Sequence, residues 1–522
     1  MAQKTQGMPK RIFAQVSPRS VGGASIFGSG TLVNRRTYAS FNSDRGVVSA
    51  AVARLRSAGF EVLHVTRSTI NIAGTQKQYE KAFGRKLVTE EREVIKPQGV
   101  VSTATFIECP DTPVAGLIET GGTDFADVVE GVAIEEPRYY MQPSAHPPTV
   151  DYWHLTVPAG VSLGCNADRA HRGRVTGRGI RIAMVDSGWY RHPFFVERGY
   201  RVAPVVLGPG AAEPEADESG HGTGESANIF SVAPDAELIP VKMSFTNSKG
   251  AFDAAIDLRP DIITCSWGSS RRNGLSAADQ LLAASIAAAV DAGITVVFSA
   301  GNGHWGFPGQ HPDVVSAGGA FMDRDMSIRA SDYASGFSSE IYTSPPRQVP
   351  DLCGLVGMRP RAIYIMLPLE PKDEIDVGNA GGTHPDGDET EPGDGWAAFS
   401  GTSAAAPQLA GAAALVKQAC PRLDPDEVRS ILKRSARDVS AGRSSPFTDQ
   451  TGTGRGNPAK AGADDATGHG LVDAYKAVLL AKLRCMPTAL PHAARSPLTE
   501  EEQSDLEALA LREEINLDDF GA

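Results

Sequence analysis

The sequence predicts an α/β protein: a doubly wound, mostly parallel sheet with helices on both faces, preceded by a small α+β unit. Three observations carry this expectation. GIRIAMV (179–185), LIPVKMS (238–244), DIITCSW (261–267) and ITVVFSA (294–300) are continuous apolar runs, as expected of strands buried on both faces. LSAADQLLAASIAAAVDAG (275–293) reads as a helix between the last two, the alternation that builds parallel crossovers. At 522 residues, the chain is too long for a single hydrophobic core.

Residues 1–45 show no clear period and are expected to form a loose arm with at most one strand. VVSAAVARLRSAGF then has apolar residues at helical spacing and reaches Gly59. EVLHV and STINIAG read as strands, TQKQYEKAFG as a second helix, and VVEGVAIEEP (128–137) as a closing strand. This order suits two helices on one small sheet. QPSAHPP (142–148) reads as an extended linker, because Pro disfavours helix and central strand. The organisation expected is an N-terminal region over 1–141, a linker and domain start over 142–164, a main domain over 165–485 and an acidic tail over 486–522. Thr499 and Glu502 fit a capping box in that tail, which is otherwise read as a solvated terminus.

Composition excludes several classes of function. The net charge of −12, from 50 Lys+Arg against 62 Asp+Glu, argues against a nucleic-acid partner, which would need a basic surface. No apolar run approaches the roughly 18 residues of a membrane span. The N-terminus shows basic residues without an apolar stretch behind them, so a cytoplasmic location is expected. The six cysteines have no paired spacing and read as mostly reduced, partly buried thiols.

Chemistry-bearing segments sit at or near the carboxyl ends of the predicted strands, where open parallel sheets bind ligands. VDSG places Asp186 after the first apolar run, SWG (266–268) ends another, and SAGN places Asn302 just past a third. His221 stands at the entrance to a probable helix, in HGTGESANIFSV. GTSAAAP places Ser403 at the start of a small-residue helix, beside the free N–H groups and positive end of its dipole. Pro407 is expected to fall within the first turn of that helix.

Together these segments resemble the subtilisin-like (S8) serine peptidases, with Asp186-Ser187-Gly188, His221-Gly222-Thr223 and Gly401-Thr402-Ser403…Pro407 in the family's chain order. The resemblance covers roughly 165–480 and implies the subtilisin-like doubly wound fold, with a small ferredoxin-like α+β unit before it. It implies a serine endopeptidase in which Ser403 is the nucleophile, His221 the general base, Asp186 the group that orients it, and Asn302 a donor of the oxyanion hole. It also implies that Ser266, Trp267 and Gly268 pair with an extended peptide. Ala300, Gly301 and Gly306 would then line an S1 pocket suited to a large apolar or aromatic side chain. The partner expected is an extended peptide or unfolded protein. A neutral His221 should bring activity up through about pH 6–7.

Two positions depart from the family pattern: Gly224-Glu225 follow the HGT motif, and Ala404 follows Ser403. The acidic segment HPDGDETEPGDG (384–395) could bind calcium but fits no EF-hand spacing and is read as a solvated loop, so no cofactor is expected. The N-terminal region more loosely resembles the family's pro-domains, which implies self-cleavage between about Tyr140 and Val150. A dedicated protease for one precursor peptide, and an inactive peptide-binding module, are the alternatives.

Overall fold

The computed structural model describes residues 7–28, 33, 37–95, 101–137, 144–485, 499 and 501–505. The chain divides into two units, residues 1–141 and 142–522.

In the first unit the described elements are β1 (Ile12–Pro18), α1 (Arg45–Ser57), β2 (Glu61–Val65), β3 (Ile70–Gly74), α2 (Gln76–Phe83), β4 (Val88–Ile95), β5 (Val101–Glu108), β6 (Leu117–Glu119) and β7 (Val129–Ile134). Asp44 caps α1 by accepting from the Gly46 N–H, and Thr75 and Gln78 form a capping box on α2. Five strands make an antiparallel sheet in the order β2-β3-β1-β7-β6, while β4 and β5 pair with each other. Leu55, Ile72, Tyr79, Phe83 and Val132 are buried together in its core. The expected loose arm thus contains the middle strand of the sheet. Ile12, Ala14 and Val16 alternate inward along β1, a pattern too short to stand out beside Gln15 and Ser17.

In the second unit the elements that position the site are β8 (Arg181–Asp186), α3 (His221–Val232), β9 (Glu237–Lys242), α4 (Ser248–Asp257), β10 (Ile262–Cys265), α5 (Ala277–Asp291), β11 (Thr295–Ser299), β12 (Val315–Met322), β13 (Leu352–Leu355), α6 (Thr402–Ala419) and α7 (Ala474–Cys485). The strands pair in parallel in the order β9-β8-β10-β11-β12-β13. Their side chains alternate between two cores. Ile182 and Met184 of β8 pack with residues of α3 and α6, whereas Ala183 and Val185 pack with Phe252 of α4 and Ile286 of α5. This is the doubly wound fold with helices on both faces. Among the described residues no helix is long and apolar enough to cross a membrane.

Three further segments differ from their sequence reading. Cys420, directly after α6, forms a disulfide with Cys485 at the end of α7, because α6 and α7 pack together across 65 residues of sequence. Cys109, Cys165, Cys265 and Cys353 are free and buried, as expected. The described part of the acidic tail is docked: Asp505 pairs with Arg169 at 2.6 Å and accepts from the Tyr475 hydroxyl at 2.7 Å, and buried Glu502 pairs with Lys482. Its carboxylates meet basic and hydroxyl groups distant in sequence, so local charge could not reveal the docking. The acidic segment over 384–395 is only partly solvated. Asp388 is buried and accepts from the Thr390 N–H and hydroxyl and from the Ala398 N–H, fixing the segment to the strand Trp396–Ala398 that leads into Ser403.

Candidate active site

Asp186 is the last residue of β8 and His221 the first of α3. His221 Nδ1 and Asp186 Oδ1 are 2.7 Å apart, and the same oxygen accepts from the Ser187 N–H at 2.8 Å. Asp186 is buried, and its Oδ2 has no hydrogen-bond partner among the described residues. Behind this pair lies buried Asp217, which the sequence reading passed over. Its Oδ1 accepts from the Ser187 hydroxyl at 2.7 Å, and its Oδ2 from the Thr223 N–H at 2.8 Å and hydroxyl at 2.6 Å. Ser187 and Thr223, the polar residues of the DSG and HGT segments, are therefore locked to one carboxylate. That fixes the loop carrying Asp186 against the helix carrying His221. The cue in the sequence was an acidic residue four positions before His221, just ahead of a helix start.

Ser403 is the second residue of α6, so its N–H has no intrahelical acceptor. Its hydroxyl donates to the Ser266 carbonyl at 3.3 Å, and among the described residues no hydrogen bond joins it to His221. Such contacts commonly close only when substrate arrives. Pro407 is the sixth residue of α6, beyond the first turn expected for it. Lacking an N–H, it leaves the Ser403 carbonyl four residues back without its helical donor. The Ser266 hydroxyl fills that place, donating to the Ser403 carbonyl at 2.9 Å. Ser266 and Ser403 thus hold each other, which gives Ser266 a packing reason as well as its place in the SWG segment.

Asn302 lies beside the start of α6. Its Oδ1 accepts from the Thr402 N–H at 2.8 Å and from the Thr402 hydroxyl at 2.9 Å. With the oxygen so engaged, Nδ2 is the end left to donate. A Cβ at Gly401 would come within 2.7 Å of that Nδ2, so a side chain there would push the amide aside. The Nδ2 of Asn302 and the N–H of Ser403 therefore flank the same helix start, two donors suited to an oxyanion.

The remaining predicted residues gather at the ends of β10 and β11. The Trp267 indole donates to the Val185 carbonyl at 2.8 Å and lies edge-on to Phe298, so this side chain packs against the sheet. Ala300 is buried, and the Gly301 N–H donates to the Thr402 hydroxyl at 3.2 Å. Gly306–Phe307 forms a short antiparallel pair with Ser269–Ser270. That pair places Gly306 directly against the Ala300 carbonyl.

The electrostatics of His221 depart from the sequence reading. Burial works against its charged form, but Asp186, by charge and hydrogen bond, and then Glu225 and Asp217 outweigh this and carry it up to about 9. This direction differs from the ordinary imidazole value on which the pH 6–7 expectation rests. Burial also pushes the Glu225 carboxyl up to about 8. Among the described residues no group of three His, Cys, Asp or Glu side chains is arranged to hold a metal ion.

A buried aspartate at a strand end joined to a histidine at a helix start, with a serine at a second helix start, is an arrangement used by serine hydrolases. The family model for the subtilase family matches residues 177–470, and the chain belongs to that family. It is similar to Serine protease AprX of Bacillus subtilis (strain 168), with 28% identity over 293 residues, 50% of this chain and 61% of that protein. It is also similar to Alkaline elastase YaB of Bacillus sp. (strain YaB), 26% identical over 60% of this chain and 72% of that protein. For Subtilisin Savinase of Lederbergia lenta the figures are 25% identity over 55% of this chain and 93% of that protein.

Proposed function

We propose that this chain is an active endopeptidase that cleaves extended peptide segments through Asp186, His221 and Ser403, with Asn302 in the oxyanion hole. The observation that carries the reading is the 2.7 Å contact between His221 Nδ1 and Asp186 Oδ1, which leaves Nε2 as the nitrogen free to serve a serine. In this mechanism Ser403 Oγ attacks the scissile carbonyl carbon and its proton passes to His221 Nε2. The carbonyl electrons move to oxygen, which Asn302 Nδ2 and the Ser403 N–H receive. Collapse expels the amine, which takes the proton from Nε2; water then attacks the acyl-enzyme by the same route and releases Ser403.

Ser403→Ala is expected to abolish hydrolysis of an unfolded protein substrate and labelling by a fluorophosphonate probe, with an unchanged circular dichroism spectrum. Stoichiometric labelling of that variant would place the nucleophile elsewhere. The same reading includes self-cleavage after Tyr140 or Met141, a bond that lies outside the described residues. Intact mass of wild type and Ser403→Ala expressed side by side tests it, and equal cleavage of both would assign the cut to another protease.

A further inference from the structure

The departure at Gly224-Glu225 places a carboxylate in the closed interior. Glu225 is four residues beyond His221 on α3, hence on the same face of the helix, and its side chain is fully buried. Its Oε2 accepts from the Asn228 amide at 2.9 Å, while Oε1 has no partner among the described residues. The Asn228 carbonyl oxygen accepts from the Gln408 amide at 3.1 Å. Gln408 lies on α6, five residues beyond Ser403, and bridges to β13 by accepting from the Leu355 N–H at 2.7 Å and donating to the Leu355 carbonyl at 3.0 Å. A continuous buried polar chain thus runs from Glu225 on α3 to Gln408 on α6, through the packed interface of the two helices. Burying a carboxyl with one unpaired oxygen costs stability, and a residue retained at that cost calls for a role.

We propose that Glu225 is a positioning residue for His221: a second buried carboxyl, besides Asp186, that biases the imidazole toward its charged form and is itself held, through Asn228 and Gln408, to the helix carrying Ser403. The inference rests on the triad reading given above. The groups acting on His221 are Asp186 from the end of β8, Asp217 from the loop before α3, and Glu225 from α3 itself, with no cation among them. Asp373, against the Gly220 Cα, is the next carboxyl beyond, and Phe399, from the segment leading into α6, contributes a neutral ring 6.1 Å from the imidazole. Ionised Glu225 favours the imidazolium. Its replacement by a neutral isostere must therefore lower the pH at which His221 becomes a base.

The test compares wild type with Glu225→Gln, which keeps an acceptor for Asn228 and removes the charge. The acidic limb of the pH profile of kcat/KM is expected to move down by about half to one unit, a shift that a purely structural role would not produce. The same shift should appear in the ¹⁵N titration of the His221 imidazole, recorded in Ser403→Ala protein with and without Glu225→Gln. An imidazole midpoint unchanged by Glu225→Gln overturns the proposal, whatever the kinetics. Full activity of His221→Ala would instead sink the triad reading while leaving the titration result standing. Should the Gln variant fail to fold, Glu225→Asp withdraws the carboxyl by one methylene and is expected to move both readouts in the same direction by less. Identity with wild type in both readouts overturns the proposal there too.

Discussion

Adding one methyl group at Gly306 tests whether the geometry around Ala300–Asn302 sets turnover. A Cβ at Gly306 would lie 2.1 Å from the Ala300 carbonyl oxygen and 2.8 Å from its carbon, both backbone atoms that cannot rotate away. Ordinary contact therefore requires the two segments to part by about 1 Å. Gly306 is held by its pairing with Ser269–Ser270, so the yielding partner is the Ala300–Gly301 turn, which leads directly into Asn302. Misplacement on that scale costs about 10²-fold in rate, and overpacking costs about 1–3 kcal/mol of stability. Gly306→Ala is thus expected to lower both kcat/KM on a fixed peptide and Tm. The control is Gly378→Ala, at a helical position with open space around the added methyl. The control should keep wild-type kcat/KM and lose no stability. Wild-type kcat/KM and Tm in Gly306→Ala would refute the argument. A lower Tm with unchanged kcat/KM would show that the contact serves packing and does not transmit to Asn302.

Other outcomes follow from the same geometry. Asn302→Ala should reduce kcat by about 10²–10³ with little change in KM, the scale known for such a donor in subtilisin; a pure KM effect would remove it from the oxyanion hole. Since His221 is raised above the ordinary imidazole value and must be neutral to act as base, kcat/KM should keep rising above pH 7; a plateau already complete at pH 6.5 contradicts this. Denatured protein without reductant should expose four thiols and reduced protein six. Cys485→Ser should cost about 4 kcal/mol in chain-entropy terms, read by denaturant unfolding.

Much of the fold was legible because burial on both faces leaves uninterrupted apolar runs, and the four β-strands expected over 179–300 lie where those runs stand. The helix starts at His221 and Ser403 were legible because each is marked by small residues. What stayed hidden depends on contacts between distant positions. The strand β1 gains its place only by pairing with β3 and β7. The Cys420–Cys485 pair exists because two helices dock. Pro407 could sit deeper in α6 than expected because Ser266, on another strand's end, supplies the missing donor. Asp217 looked like an ordinary acidic residue and Glu225 like a mere departure from the family pattern, since a sequence does not show which carboxylates are sealed from water.

Those two carboxylates bear on where the precision of the site comes from. Asp186, His221 and Ser403 lie at the ends of regular elements, so their backbone positions follow from how β8, α3 and α6 pack. Loops alone would hold them less exactly than fractions of an ångström demand. Two polar links remove the remaining freedom. Asp217 joins the turn after β8 to the first turn of α3 through Ser187 and Thr223. The chain Glu225–Asn228–Gln408 joins α3 to α6 and α6 to β13. Sliding of either helix along the other would break hydrogen bonds in a dry interior, where an unmade bond costs about 1–3 kcal/mol. The relative height of His221 and Ser403 is therefore fixed before any peptide binds. In the proposed mechanism the Ser403 hydroxyl leaves the Ser266 carbonyl for the imidazole.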